Sequence, residues 1–194
     1  MNICIFCSAN YHIPAEYFQA TKAFGQWCAR QGHTIIFGGT NQGLMECVAE
    51  AAFNAGGHVI GVIPEIVERG GRTSEYVHTR ILTTDLNDRK AVMIDRADAI
   101  VALPGGVGTL DEVFTVLAAA SIGYHHKQVI LFNPDGFWQK LIELFDDLDG
   151  HCMIRGRWQS QLLVANTIDE VQTLIETIHT EPGGNEIQVD ELRA

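Results

Sequence analysis

Short, almost entirely apolar runs recur along this chain, and each is followed by a longer segment of helical periodicity. The runs lie at about residues 2–7, 33–37, 58–63, 98–103 and 128–132, with a sixth candidate at 161–165. Strands that are apolar on both faces are typical of a parallel sheet covered by helices. The alternation therefore predicts an α/β fold with helices on both faces of a mainly parallel sheet.

Helices are predicted between these strands at about residues 14–31, 41–55, 86–95, 109–122, 136–148 and 168–179. Pro14 suits the start of the first helix, and Gly32 suits its C-terminal stop. The charged, glycine-containing connection after Pro64 is predicted to be a surface excursion that borders the functional site. A length of 194 residues favours one domain, over residues 1–180, and the polar, aperiodic residues 181–194 are predicted to be a mobile tail.

Charge and composition exclude two classes of partner. The formal net charge is -11 and the 13 Lys and Arg residues form no basic stripe, so nucleic acid is not an expected partner. No apolar run approaches the roughly 20 residues of a membrane helix, and the N-terminus does not resemble a signal peptide. An odd count of five cysteines fits reduced thiols. We therefore expect a cytoplasmic protein that does not act at a membrane.

The turn at residues 104–109 carries the strongest functional signal. Pro104 rigidifies the exit from a buried strand, and Gly105, Gly106 and Gly108 remove side chains that would keep backbone amides away from an anion. Val107 lies between the last two glycines, and Thr109 either caps the next helix or gives its hydroxyl to a phosphate. The Lys of a triphosphate-binding loop is absent, so a monophosphate held at a helix N-terminus is the better fit.

Glu112 follows this turn and would lie close to the bound anion. Acidic residues in a first helical turn are commonly surface groups, but a carboxylate next to a phosphate can also activate water or stabilise positive charge on a sugar. Upstream, Arg89 and Lys90 are either ordinary solvated residues or ligands of a phosphate, a ribose or a carboxylate such as Glu112.

Two further strand exits carry small or polar residues. Ser8 follows the first strand and serves either as a helix cap and turn or as a ligand contact. Gly38 and Gly39 end the second strand and permit close approach of a ligand, while Asn41 is a candidate cap for the helix that follows. The glycine spacing differs from the dinucleotide fingerprint and no acidic residue ends the next strand, so a nicotinamide cofactor is not expected.

The pair Cys4 and Cys7 invites a redox or zinc interpretation. These residues are three apart along a strand and face opposite sides, and no second Cys or His pair has ligand spacing. We therefore predict no metal site.

The stretches at 38–48, 61–64 and 87–112 together resemble the Lonely Guy (LOG) family, the cytokinin riboside 5'-monophosphate phosphoribohydrolases once mislabelled lysine decarboxylases. The family signatures GGGxxGLMG and PGGxGTxxE correspond here to residues 38–46 and 104–112. The sequence departs from these patterns mainly at Thr40, Glu46 and Val107. These positions surround the base pocket, so we expect the preferred base to differ more readily than the reaction.

The resemblance implies a Rossmann-like three-layer sandwich that forms a homodimer or higher homo-oligomer and needs no metal or organic cofactor. Its activity is hydrolysis of the N-glycosidic bond of a nucleoside 5'-monophosphate, either AMP or N6-modified AMP, to free base and ribose 5-phosphate. It implies Glu112 and Arg89 as the catalytic pair. The residues it implies for substrate binding are Lys90, Gly105, Gly106, Val107, Gly108 and Thr109. Ser8, Gly38, Gly39 and Met45, which lie at or just after the other two strand exits, are further candidates for substrate binding.

Two functions remain open from the sequence. A phosphoribohydrolase serves cytokinin biosynthesis or, as an AMP nucleosidase, nucleotide salvage. The alternative is a non-catalytic carrier of a nucleotide or of the pterin phosphate of the molybdenum cofactor, on the same scaffold.

Overall fold

The computed structural model describes residues 1–180, with side chains through 178. The tail predicted for residues 181–194 lies outside the described residues. The strands are β1 (Asn2–Phe6), β2 (Thr34–Phe37), β3 (His58–Pro64), β4 (Thr79–Thr83), β5 (Ala99–Ala102), β6 (Val129–Phe132) and β7 (Leu162–Ala165). The helices are α1 (Ala15–Arg30), α2 (Gly43–Asn54), α3 (Glu65–Arg69), α4 (Leu86–Arg96), α5 (Val107–Ser121), α6 (Gln139–Gly150) and α7 (Ile168–Thr180).

All seven strands pair in parallel in the order β4-β3-β2-β1-β5-β6-β7. The chain builds outward from β1 to β4, then crosses to β5 on the other side of β1 and continues to β7. The strand order therefore reverses between β1 and β5. In open parallel sheets a crevice forms at such a reversal, outside the carboxyl ends of the strands, and ligands bind there.

Two apolar layers cover the sheet, one on each face. Ile3 and Ile5 of β1 pack in a cluster with α1, α2 and α7, whereas Cys4 and Phe6 pack in a second cluster with α4, α5 and α6. Cys7 belongs to the first cluster, which confirms that Cys4 and Cys7 face opposite sides. The three-layer, Rossmann-like α/β sandwich predicted from the sequence is confirmed.

The six predicted strands and six predicted helices are all present, with ends shifted by at most three residues. Gly32 ends α1 with a φ of 71°, a left-handed conformation that favours glycine. The connection after Pro64 was incompletely predicted, because it contains α3 and the edge strand β4. Three of the five β4 residues are exposed, and within residues 1–180 β4 pairs with β3 alone, so β4 lacks the apolar run that marks the inner strands. None of the helices described within residues 1–180 combines the length and apolar character of a membrane span.

Candidate functional site at the strand-order reversal

Three loops meet at the carboxyl ends of β1, β2 and β5. The Ser8 amide donates to the Pro104 carbonyl oxygen over 3.1 Å, and the Leu44 amide donates to the Ser8 carbonyl oxygen over 2.9 Å. The loop after β1 is therefore held between the other two. The Ser8 hydroxyl accepts a hydrogen bond from the Asn10 amide at 3.0 Å, and α1 begins only at Ala15, so Ser8 stabilises a turn and is not a helix cap.

The turn after β5 leads into α5 without a side-chain cap. Gly106 is the N-cap residue, and its backbone leads into a first turn whose amides have no acceptor within the helix. At Gly106 and Gly108, no surrounding atom lies within 4 Å of the position that a Cβ would occupy. The helix start is therefore open, and its amides and dipole suit an anion.

Gly105 and Thr109 have a different role in this turn. A Cβ at Gly105 would lie 2.1 Å from the Thr109 hydroxyl oxygen, so only glycine allows Thr109 to pack there. Thr109 is buried within the first turn of α5, and the prediction that it caps this helix is wrong because Gly106 is the cap. Val107 is 84% exposed at the mouth of the turn.

Arg89 and Glu112 form an ion pair between α4 and α5. Arg89 Nη2 donates to Glu112 Oε1, and the two side chains are 13% and 2% exposed. The alternative in which Arg89 is an ordinary solvated residue is therefore wrong. Both side chains lie beneath the crevice, near the buried thiols of Cys4 and Cys7. Burial raises the pKa of both thiols, the Glu112 carboxylate raises it further and the Arg89 guanidinium lowers it.

The start of α4 is fixed by reciprocal capping. The Asp85 side chain accepts from the amides of Asn87 and Asp88 at 2.8 and 2.9 Å, and the Asp88 side chain accepts from the Thr84 amide at 3.0 Å. This resembles a capping box, which stabilises a helix start and its entry direction. Arg89 follows directly, so its Cα is held in a defined position above the sheet.

One polar atom of each partner is left without a hydrogen bond. Among the described residues, Glu112 Oε2 and Arg89 Nε are both buried and both lack a partner. A buried acceptor or donor without a partner costs roughly 1–3 kcal/mol. One carboxylate oxygen and one N–H group of the pair are therefore available to hydrogen-bond a ligand or a water molecule.

Burial also changes the acidity of Glu112. Desolvation raises the pKa of the Glu112 carboxyl from 4.5 to about 7, against the opposing effect of the Arg89 guanidinium. Asp111 raises this pKa further and Lys90 lowers it. A carboxyl group with a pKa near neutrality can exchange a proton during a reaction.

A second ion pair lies beside the first. Lys90 Nζ donates to both carboxylate oxygens of Asp111, at 2.8 and 3.0 Å. Lys90 is 9% exposed, so the solvated alternative for it is also wrong, whereas the Asp111 side chain is 56% exposed. Lys90 lies in the site, and its ammonium group is paired with a carboxylate that is itself more than half exposed.

Gly38 makes room for the arginine. A Cβ at Gly38 would lie 2.6 Å from Arg89 Nη1 and 3.3 Å from the Met45 sulfur. Gly39 has a φ of 73°, and a Cβ there would lie 2.3 Å from Ile63 Cγ1.

The prediction that Asn41 caps α2 is wrong, because the N-cap residue is Gln42 and it makes no side-chain cap bond.

The structure thus brings the predicted site residues together at the carboxyl ends of the central strands. The exposed ring of Tyr11 lies beside these residues and was not predicted; its hydroxyl donates to the Asn41 carbonyl oxygen at 2.5 Å. The sequence feature that could have indicated Tyr11 is an aromatic residue placed directly after the polar turn that follows β1. Within residues 1–180, no three His, Cys, Asp or Glu side chains are grouped so as to hold a metal ion.

The fold and this geometry define a Rossmann-like α/β protein whose crevice joins an open helix N-terminus to a buried glutamate–arginine pair. The family described as "Possible lysine decarboxylase" matches residues 45–175 of the chain.

The chain is 38% identical over 144 residues to a probable cytokinin riboside 5'-monophosphate phosphoribohydrolase of Oryza sativa subsp. japonica, covering 74% of this chain and 58% of that relative. It is 37% identical over 144 residues to a cytokinin riboside 5'-monophosphate phosphoribohydrolase of Arabidopsis thaliana, covering 74% of this chain and 68% of that relative. The chain therefore belongs to the Lonely Guy (LOG) family.

A solved structure with a similar fold comes from a different functional group. The molybdenum cofactor binding protein of the phototrophic bacterium Rippkaea orientalis matches with a TM-score of 0.73 and 27% identity, over 92% of this chain and 97% of that chain.

Proposed function

We propose that this chain hydrolyses the N-glycosidic bond of a nucleoside 5'-monophosphate, AMP or N6-modified AMP, to free base and ribose 5-phosphate. The names of its relatives support this reaction. The observation that carries it is the buried Glu112 carboxylate, paired with Arg89 on one oxygen and unpartnered on the other. This carboxylate lies just beyond an open helix start that suits a phosphate.

The spacing along α5 matches a phosphorylated sugar. Glu112 is the sixth residue of the helix, about 7.5 Å along the axis from Val107 at 1.5 Å per residue. Side chains on a helix tilt toward its N-terminus, so the carboxylate leans back toward the phosphate position. A phosphate at the first turn then places the ribose over the Arg89–Glu112 pair.

In the proposed reaction the C1'–N bond breaks and the base leaves with the bonding electrons. The ribose acquires oxocarbenium character, which the Glu112 carboxylate stabilises. Glu112 Oε2 also accepts a proton from the attacking water, whose oxygen bonds to C1', and that proton is passed on to the departing base. Arg89 holds Oε1 in place, and its free Nε–H is available to a ribose hydroxyl.

The remaining site residues bind the substrate in this proposal. The loop from Gly105 to Thr109 receives the phosphate, and Lys90 contributes positive charge beside it. Ser8, Gly38, Gly39 and Met45 form the floor of the crevice. We further propose that residues 1–180 act as one domain in the cytoplasm, as a homodimer or higher homo-oligomer, without a metal or organic cofactor. The five free cysteines fit a reducing compartment.

The test is a nucleotide panel analysed by chromatography. Purified protein is incubated with AMP, isopentenyl-AMP and adenosine, and free base and ribose 5-phosphate are quantified. We expect release from one or both monophosphates and none from adenosine, which lacks the anion. Equal release from AMP and adenosine would contradict a phosphate-anchored site.

A second candidate is a carrier of a pterin phosphate such as the molybdenum cofactor. The similarity to the Rippkaea orientalis protein favours it. Calorimetry distinguishes the two functions, because a carrier binds its phosphate ligand tightly and releases no base from any nucleotide over hours.

A further inference from the structure

Tyr11 presents an exposed aromatic ring at the edge of the crevice. The residue is 55% exposed, yet its hydroxyl donates to the Asn41 carbonyl oxygen at 2.5 Å. This bond ties the loop after β1 to the loop after β2. Because the hydroxyl is bound to Asn41, the positions that the ring can take are restricted.

The backbone beneath the ring is also fixed. The Asn10 amide donates to the Ser8 hydroxyl at 3.0 Å, and the His12 amide donates to the Asn10 side-chain oxygen at 2.9 Å. The loop packs so closely on α2 that a Cβ at Gly43 would lie 2.5 Å from the Ala9 carbonyl carbon. Tyr11 therefore gives up little conformational freedom when a ligand contacts it, which favours binding.

The sheet sets the distance from the anion site to this ring. The open start of α5 follows β5, and Tyr11 lies over the loop after β2, with β1 between the two strands. Two strand spacings amount to roughly 10 Å. An extended nucleoside monophosphate reaches a comparable distance from phosphate to base, and its sugar would then lie over Arg89 and Glu112.

We propose that the Tyr11 ring stacks on the base of the bound nucleotide and so contributes to base binding; this inference rests on the proposed function. Stacking is tolerant of base identity because every base has a π-face, and a purine offers the larger one. The Asn41 contact is made by the hydroxyl group, and the residue is 55% exposed, so the ring is accessible to a ligand. Tyr11 contacts the base alone, because the phosphate lies at the start of α5 and the ribose lies over Arg89 and Glu112.

The test compares a ligand that has a base with one that lacks it. Calorimetry measures the affinities of AMP and ribose 5-phosphate for the wild type, Tyr11→Ala and Tyr11→Phe. Tyr11→Ala should weaken AMP binding roughly 10- to 100-fold, the effect of losing one base–aromatic stack. Its affinity for ribose 5-phosphate should change less than about twofold, the scatter expected when no contact is lost. Tyr11→Phe keeps the ring but loses the hydrogen bond to Asn41, so it should weaken AMP binding less than Tyr11→Ala does and leave the affinity for ribose 5-phosphate unchanged.

Tyr124 supplies a matched control, because it is 81% exposed and far from the crevice. It lies after the C-terminal end of α5, whereas the crevice lies at the start of this helix. Tyr124→Ala should leave both affinities unchanged. In turnover assays, Tyr11→Ala should raise KM and leave kcat nearly unchanged.

Three results would overturn the proposal. The first is unchanged AMP affinity in Tyr11→Ala. The second is equal weakening of AMP and ribose 5-phosphate, which would make Tyr11 a structural residue of the loop. The third is a wild type that binds neither ligand, which would also remove the proposed function. A wild type that binds AMP without turnover refutes only the hydrolase, and the stacking comparison then still decides the role of Tyr11.

Discussion

Replacing Gly38 by alanine tests whether the proposed catalytic pair depends on a residue that never touches the substrate's reacting bond. The new Cβ would lie 2.6 Å from Arg89 Nη1, and ordinary contact begins at 3.4 Å, so the guanidinium must retreat by about 0.8 Å. Arg89 would then lose its alignment with Glu112 Oε1. A misplacement of about 1 Å in an active site costs on the order of 100-fold in rate. We expect kcat/KM to fall between about 10- and 100-fold on this basis.

Two further measurements separate this effect from unfolding. The clash involves the flexible end of a side chain, so Gly38→Ala should change the free energy of unfolding by less than about 1 kcal/mol. Withdrawal of the guanidinium should also raise the apparent pKa of Glu112 and move the pH–rate profile to higher pH.

Gly150 at the end of α6 provides the matched control. No surrounding atom lies within 4 Å of its Cβ position, so Gly150→Ala should keep full activity. If Gly38→Ala retains wild-type kcat/KM, or loses activity only in proportion to a lower Tm, then the proposed dependence of Arg89 on Gly38 is refuted.

Three other predictions concern the pH response, the anion site and stability. Burial raises the pKa of Glu112 to about 7, and the proposed reaction uses the ionised carboxylate. The value of kcat/KM should therefore rise between about pH 6 and 8, with a half-maximum near 7, and a rate that is flat over this range would contradict the proposed role of Glu112. The new methyl group of Gly106→Ala meets no surrounding atom within 4 Å, so we expect an unchanged Tm. The methyl group would occupy space in the proposed anion site, so binding of ribose 5-phosphate, measured by calorimetry, should weaken by at least about tenfold. Burial raises the pKa of the Glu46 carboxyl, so at a pH above the carboxyl's pKa in the unfolded chain its ionisation destabilises the folded state. Glu46→Gln should therefore raise Tm at neutral pH and reduce the loss of stability between acidic and neutral pH. Thermal denaturation measured across this pH range checks both results.

The fold followed from the sequence because the inner strands are apolar on both faces. Runs such as Ala99–Ala102 have no polar residue to place in solvent, so only a sheet between two helical layers accommodates them. The edge strand β4 could not be found in this way, since Thr79 and Arg80 face water and the strand is defined by its pairing with β3. Pairing is a long-range property that a local pattern does not contain.

The candidate site was predictable as a set of residues and not as a set of contacts. The glycines of the turn after β5 and the position of Glu112 are visible in the sequence, because both belong to one strand–helix connection. The contact between Gly38 and Arg89 joins residues far apart in the chain, and so does the bond from Tyr11 to Asn41. Whether Lys90 faces solvent or Asp111 depends on how α4 and α5 pack, which the sequence of either helix alone does not determine.

The most direct test of the account is the rate of base release by Glu112→Gln. Glutamine keeps the size of the side chain and can still accept a hydrogen bond from Arg89, but it cannot take a proton from water or carry negative charge. With folding verified by circular dichroism and ribose 5-phosphate affinity by calorimetry, we predict release of base from the preferred monophosphate to slow by about 100-fold or more. Release at the wild-type rate by a folded, ligand-binding Glu112→Gln variant would contradict the account.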